Sequence, residues 1–213
     1  MPAKLAKVDL EPIPVTIRPA FRLSQLLLGL VLYGTSMALM VRARLGLSPW
    51  DVLHQGLTES LGWSFGAVTA LTGVTVLLAW LPLRQRPGIG TVANVVVIAV
   101  SVDGALRLLP SAPALEWQLP MMTGGIVLNA VATALYVGAR LGPGPRDGLM
   151  TGLHARTGGS IRVVRTGIEV SVLAVGWLLG GTAGAGTVLY ALAIGPLTQY
   201  FLAIVAIRRR RAG

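Results

Sequence analysis

Hydrophobic residues run along this chain in long, nearly unbroken stretches, and polar residues collect between them. A helix needs about 20 mostly apolar residues to cross the hydrocarbon core of a bilayer. Six stretches meet that requirement, at residues 23–43, 65–83, 89–109, 120–138, 163–180 and 185–207. The pattern therefore predicts an all-α polytopic membrane protein with about six transmembrane helices.

The composition supports a lipid environment and narrows the chemistry. The chain is 54% hydrophobic and 12% charged, whereas soluble domains carry about 25% charged residues. It has no cysteine, which excludes disulfides, thiolate metal sites and cysteine nucleophiles. Its two histidines and eight carboxylates form no ligand-type cluster, so we expect no metal and no cofactor.

Lys and Arg residues predict the orientation of the chain and argue against nucleic-acid binding. The net charge is +10, but the arginines lie at the ends of apolar runs and form no soluble basic face. With both termini in the cytoplasm, Arg42, Arg44 and Arg107 are the basic residues that fall outside. All the others lie on the inner side, as the positive-inside rule requires. The terminal run 208–211 then serves as a headgroup anchor.

Two similar lines of sequence reveal an internal duplication. ARLGLSPWDVLHQGL occupies residues 43–57 and ARLGPGPRDGLMTGL occupies residues 139–153, 96 positions later. The same offset aligns residues 29–103 with 125–199 without a gap. Each copy holds three predicted spans, and because three is odd the second copy enters the membrane from the opposite side. We therefore predict two inverted three-helix repeats, an arrangement common in secondary transporters.

This organisation divides the chain into five segments. We predict a cytoplasmic tail at 1–22, a first membrane repeat at 23–109 and an extracellular linker at 110–119. A second membrane repeat follows at 120–207, and a basic cytoplasmic tail ends the chain at 208–213.

Each repeat also contains a short helix that cannot cross a bilayer. Ser48 is a good N-cap and Pro49 suits the first helical position, which places Asp51 at the third. The second copy matches it with Pro145 and Asp147, and the predicted helices run over 49–61 and 145–156. Each helix either lies flat at the membrane surface, with the aspartate offsetting the helix dipole, or dips inward as a re-entrant helix beside a polar cavity.

The polar faces of these helices supply candidate site residues. Gln55 follows Asp51 by one turn, Thr151 follows Asp147 likewise, and Arg44 and Arg140 are the expected partners of the aspartates. Glu169 lies within the fifth span with Arg165 four residues earlier, which indicates either an ion pair near the membrane rim or a site for a coupling ion. The predicted substrate-binding residues are Asp51, Asp147, Arg44, Arg140, Gln55, Thr151 and Glu169.

At these motifs the sequence resembles the YczE-like (YczE/YyaS/YitT) bacterial membrane proteins. The resemblance rests on GLSPWDVLHQGL at 46–57 and on the segment from GPGPRDGLMTGL to GGTAGAGT at 142–187. It implies a multi-pass protein of the bacterial plasma (inner) membrane. It implies no substrate and no catalytic roles.

The predicted function is that of a small secondary transporter or permease, with a polar site between the two repeats. Two alternatives stay open, a non-transporting membrane partner or regulatory protein, and the substrate-binding membrane component of a multi-subunit importer. No G-x-S-x-G or H-E-x-x-H context surrounds a histidine or serine, so we expect no enzyme. The expected partners are the lipid bilayer and a small solute, and a homodimer is left open.

Overall fold

A computed structural model describes residue 14 and residues 16–111 and 114–205. These residues form eight α-helices and no strand. The first half contains α1 (Pro19–Ala43), α2 (Pro49–Leu61), α3 (Phe65–Leu83) and α4 (Ile89–Leu108). The second half contains α5 (Leu115–Gly138), α6 (Pro145–Thr157), α7 (Ile161–Leu178) and α8 (Ala185–Val205).

The backbone of the second half repeats that of the first. Each helix from α5 to α8 begins 96 positions after its counterpart in α1 to α4. The turns match as well, because Arg44 and Arg140 both adopt left-handed conformations, with φ of 59° and 56°. The caps Gly62 and Gly158 both have φ of 68°, a conformation that glycine adopts without a steric penalty. The same local signals therefore end the same helices in both halves.

Helices α1 and α5 form the central pair and run antiparallel. Gly29, early in α1, lies against the backbone of Tyr136, late in α5. Gly125, early in α5, lies correspondingly against Met40, late in α1. Small residues allow this close approach, as is usual for helices that pack in a bilayer.

A reciprocal pair of hydrogen bonds joins the two halves. The backbone N–H of Gly90 donates to the carbonyl of Leu141 at 3.0 Å, and that of Gly186 donates to the carbonyl of Leu45 at 2.7 Å. Gly186 lies 96 positions after Gly90, and Leu45 lies 96 positions before Leu141. The two bonds therefore join equivalent residues, with the two halves interchanged. Each half thus donates one of these bonds to the other half. The G-x-G strings at residues 88–90 and 184–186, where α4 and α8 begin, allow this close packing.

The α3–α6 interface and the α7–α2 interface are equivalent in the two halves, but their large side chains come from different helices. Where α3 packs on α6, the ring of Trp80 fills the space above Gly148. Where α7 packs on α2, Gly176 occupies the position of Trp80 and lies against the backbone of Val52 and Leu53. Bulk is thus supplied by α3 in one interface and by α2 in the other.

Five of the described helices are long and apolar enough to cross a membrane, namely α1, α3, α4, α5 and α8. The predicted fifth span corresponds to α7, which has 18 residues and carries Arg162, Arg165 and Glu169. These three charges distinguish α7 from the other long helices. A total of six spans therefore stays a prediction.

The helix ends differ from the predicted segment boundaries at two points. Helix α1 begins at Pro19, so residues 19–22 of the predicted tail are helical. Helix α5 begins at Leu115 and contains Pro120, so residues 115–119 of the predicted linker are helical too. Pro120 is the sixth residue of α5, beyond the four N–H groups that lack a partner at a helix start, so it removes one hydrogen bond of the helix. The basic run 208–211 lies outside the described residues.

Candidate functional site

The short helix α2 begins with the cap that its sequence predicts. The Ser48 hydroxyl oxygen accepts the backbone N–H of Asp51 at 3.3 Å, and the hydroxyl donates to Asp51 Oδ2 at 2.7 Å. Pro49 holds the first helical position and Gly62 ends the helix. Helix α6 has the same Pro start, but Gly144 replaces the serine and offers no side-chain cap. The cap fixes the Asp51 carboxylate at the amino end of α2.

The amino ends of α2 and α6 meet inside the helix bundle. Arg146, at the start of α6, places Nη2 3.9 Å from Asp51 Oδ1 and 3.5 Å from His54 Nε2. Its guanidinium also lies 4.9 Å from the centre of the Trp50 ring, a cation–π distance. Trp50 and Arg146 occupy equivalent positions of the two halves, 96 residues apart.

Asp51 and His54 form a buried ionisable pair. Their exposed fractions are 1% and 0%, and His54 Nδ1 lies 3.4 Å from Asp51 Oδ1. The same nitrogen lies 3.3 Å from Thr69 Oγ1, and the Phe65 ring packs edge-on against the imidazole. A carboxylate buried this deeply requires a cation or hydrogen-bond donors, which His54, Arg146 and Ser48 supply.

A cavity of about 280 Å³ opens beside this meeting point. All eight helices contribute to its wall, together with the loop residues that precede α2 and α6. The polar and aromatic residues of the wall are Tyr33, Ser48, Trp50, His54, Thr69, Thr72, Asn94, Thr133, Tyr136, Arg146, Asp147, Arg165, Glu169, Tyr190, Thr198 and Gln199. Asn94 and Tyr190, which occupy equivalent positions of the two halves, both lie on this wall.

Asp147 is the exposed carboxylate at the amino end of α6. Its Oδ2 accepts a hydrogen bond from the Tyr136 hydroxyl at 3.1 Å. The Tyr136 ring contacts Tyr33 edge-on, with 6.1 Å between the ring centres. Tyr190 donates to Asn129 Oδ1 at 3.1 Å, and Asn129 in turn donates to Ser36 at 2.8 Å. These bonds hold the polar side chains of one wall of the cavity in place.

The predicted ion pair of α7 forms and faces the cavity. Arg165 Nε donates to Glu169 Oε1 at 2.8 Å, and both residues contribute to the wall. In the first half α3 packs along α4, whereas the equivalent α7 and α8 do not pack along each other. Neither charge of the pair has to face lipid, because the cavity lies between these helices.

Four of the predicted site residues lie away from this cavity. Arg44 and Gln55 line a second hollow of about 400 Å³, where Gln55 Oε1 accepts the backbone N–H of Thr182 at 2.8 Å. Arg140 lies at the end of α5, and its carbonyl accepts a bond from Arg22 at 3.0 Å. Thr151 is exposed and donates to the backbone of its own helix. Asp147 and Glu169 line the cavity, and Asp51 lies directly behind its wall.

The guanidinium beside Asp51 is therefore Arg146, and the expected pairing with Arg44 is wrong. Arg44 ends α1 in a left-handed turn and points to the second hollow, on another side of α2. Arg146 reaches Asp51 from the other half of the molecule, a contact that no local spacing indicates. His54 and Tyr136 are also functional candidates that sequence reasoning did not select. In the sequence, Arg146 could have been selected as a site residue because it is adjacent to Asp147.

The described residues contain no group of three or more His, Asp or Glu side chains that could hold a metal ion. The cavity wall instead combines carboxylates, guanidinium groups, amides, hydroxyls and tyrosine rings. Such a wall can bind a small polar solute through hydrogen bonds and charge pairing, with aromatic faces covering its apolar part.

Comparisons with known proteins agree with a membrane location. The model of a family of unknown function, DUF6198, matches residues 20–203. An uncharacterized protein of Haemophilus influenzae is 42% identical over 86% of this chain and 84% of its own length. The uncharacterized membrane protein YczE of Bacillus subtilis is 32% identical over 82% of each chain, and YyaS of the same species is 25% identical.

No solved structure matches this chain significantly. The relatives named YczE and YyaS confirm the predicted resemblance. Together with the five long apolar helices, they identify an α-helical membrane protein with several spans.

Proposed function

Because this chain belongs to the DUF6198 family of unknown function, we propose its function from its own geometry, as a small secondary transporter or permease. The solute binds in the 280 Å³ cavity where the amino ends of α2 and α6 meet. This meeting of two non-spanning helices, one from each half, is the observation that carries the proposal. Discontinuous or half-length helices that point their amino ends at a central site are typical of secondary transporters.

The proposal includes six membrane crossings arranged as two inverted repeats. The antiparallel α1–α5 pair and the reciprocal Gly90 and Gly186 hydrogen bonds support it. Helix α7 supplies the sixth crossing, because Arg165 and Glu169 pair with each other beside the cavity. With six crossings both termini lie on the same side, and the distribution of basic residues puts them in the cytoplasm.

In this arrangement α2 and α6 are re-entrant helices. The buried amino end of α2 supports this assignment, since a helix lying on the membrane surface would not enclose Asp51 and His54. The loop backbone before each helix faces the cavity or other protein, the setting in which irregular backbone is tolerated at membrane depth. We place the protein in the bacterial plasma membrane.

The solute that fits this cavity is small and carries polar groups. A volume of about 280 Å³ equals the liquid volume of roughly nine water molecules, at about 30 Å³ each. Charges of both signs face it, from Asp147 on α6 and from the Arg165–Glu169 pair on α7. The wall offers binding groups and no catalytic constellation, so the proposal contains no chemical step. The homodimer stays a prediction.

A thermal-stability screen of the purified protein against a library of polar metabolites tests the proposal. We expect at least one solute to raise the midpoint of unfolding by several degrees, because ligand binding stabilises the folded state by mass action. The Asp147→Asn variant should lose that shift. The Thr151→Val variant, altered one turn away and outside the cavity, should keep it.

Two outcomes would count against transport. A screen in which no solute stabilises the protein would favour a non-transporting membrane partner. A shift that survives in Asp147→Asn and in Glu169→Gln would place the solute elsewhere. Uptake of a stabilising solute into proteoliposomes then separates a transporter from the binding component of an importer, since only the transporter moves solute alone.

A further inference from the structure

The Nε2 atom of His54 lies at the contact between the two halves of the molecule. Arg146 Nη2 approaches it to 3.5 Å from the second half. A guanidinium group donates hydrogen bonds and accepts none. Nε2 can accept a hydrogen bond from Arg146 only in the neutral imidazole that carries its hydrogen on Nδ1.

The other side of the ring is consistent with this assignment. With Nε2 unprotonated, the ring hydrogen lies on Nδ1, which faces Asp51 Oδ1 at 3.4 Å and Thr69 Oγ1 at 3.3 Å. Thr69 donates its own hydroxyl hydrogen to the Phe65 carbonyl at 2.8 Å, so its oxygen is free to accept. The contacts from α2, α3 and α6 thus all select one tautomer.

Protonation of His54 reverses the interaction with Arg146. A hydrogen on Nε2 would point at a guanidinium hydrogen, and two positive charges would stand about 3.5 Å apart. Asp51 would keep a cationic partner, because the imidazolium replaces the guanidinium beside it. The Arg165–Glu169 pair of α7, which also packs on α2, balances its own charge. Arg146 is then the group that has to move.

We propose that His54 is a proton-binding site and that a proton and the Arg146 guanidinium compete for its Nε2 lone pair. Proton binding releases the amino end of α6 from α2 and opens the contact between the two halves. The inference rests on the proposed function for its biological meaning, in which the proton is the coupling ion. The competition itself requires no solute.

The proposed proton-binding site at His54 has no counterpart at the equivalent position of the second half. The position equivalent to His54 in the second half is Met150, and the position equivalent to Arg146 is Trp50. Asp147 has the Tyr136 hydroxyl as its side-chain hydrogen-bond partner, at 3.1 Å. The second half therefore has no equivalent of the His54–Arg146 contact.

A distance measurement tests the opening directly. The chain has no cysteine, so spin labels can be attached at Glu59→Cys on α2 and Ala155→Cys on α6, both exposed. We expect the distance between them in proteoliposomes to lengthen from pH 8 to pH 5. The change should vanish in His54→Gln and persist in His154→Gln, which removes the exposed histidine of α6. An unchanged distance in the wild-type sequence, or a change that survives in His54→Gln, would overturn the proposal.

Titration of the histidine itself tests the competition. His54 and His154 are the two histidines of the chain, so a ¹³C-histidine NMR spectrum has two sets of signals, and His154→Gln assigns them. In Arg146→Gln the His54 signal should titrate about one pH unit higher, a tenfold gain in proton affinity. An unchanged midpoint would show that Arg146 and the proton do not compete. Neither measurement uses a solute. Either one can therefore fail while solute transport is confirmed, or succeed while solute transport is disproved.

Discussion

Replacing Arg146 with methionine should lower the free energy of unfolding by about 3 kcal/mol. The substitution keeps most of the length of the side chain and removes its charge. Asp51 is 1% exposed, and its Oδ1 would then face a neutral imidazole with no guanidinium nearby. Removing one partner of a buried charge pair is costly because the remaining charge stays buried. Chemical unfolding in detergent micelles, followed by tryptophan fluorescence, measures the loss.

A second substitution at the partner should reverse most of that loss. In the double variant Arg146→Met with Asp51→Asn, no net charge is left in the cluster, and the carboxamide oxygen introduced on α2 still accepts the Ser48 hydroxyl. We expect the stability of the double variant to lie within about 1 kcal/mol of the wild-type value. If the two single losses simply add in the double variant, Arg146 does not act through Asp51.

Leucine at Gly176 should prevent α7 from packing on α2. A Cβ atom there would overlap the backbone nitrogen of Leu53, and no side-chain rotation can relieve a clash with backbone. Overpacking usually costs about 1–3 kcal/mol, and contact with backbone puts this site at the upper end of that range. Detergent-solubilised Gly176→Leu should unfold at a much lower temperature or elute as aggregate in size-exclusion chromatography.

The same helix provides the control for this substitution. Gly167 also lies on α7, and a Cβ atom there would meet nothing within 4 Å. Gly167→Leu should be neutral or slightly stabilising, because leucine has the higher helix propensity. Equal losses in the two variants would show that the effect comes from added bulk on α7 rather than from its contact with α2.

Features written in local sequence were predicted well. The start of α2 at Pro49 and of α6 at Pro145 follows from a cap residue and a proline, and the glycines Gly62 and Gly158 end the helices as expected. The Arg165–Glu169 pair follows from helical spacing alone. These elements are determined by residues within four positions of one another, so the sequence is sufficient to identify them.

Features that depend on tertiary packing were not predicted. Arg146 and Asp51 are far apart in sequence and come together because the two helix starts meet. Spacing along α2 placed Gln55 on the polar stripe of Asp51, yet Gln55 lines the second hollow, whereas Asp51 is buried behind the wall of the 280 Å³ cavity. The burial of His54 depends on α3, which covers it through Phe65 and Thr69. A single sequence does not indicate which face of α2 the helix α3 covers.

In the proposed transporter the two halves lie in the membrane with opposite orientations, so that α2 and α6 approach one site from opposite sides. Glu59 and Ala155 are equivalent, exposed positions near the carboxyl ends of these helices. Single cysteines at each position, in this otherwise cysteine-free chain, can be labelled in intact cells with a membrane-impermeant maleimide. Labelling from the periplasmic face at position 59, with position 155 reacting solely after the membrane is opened, is the predicted result. Labelling of both positions from the same face would contradict the account.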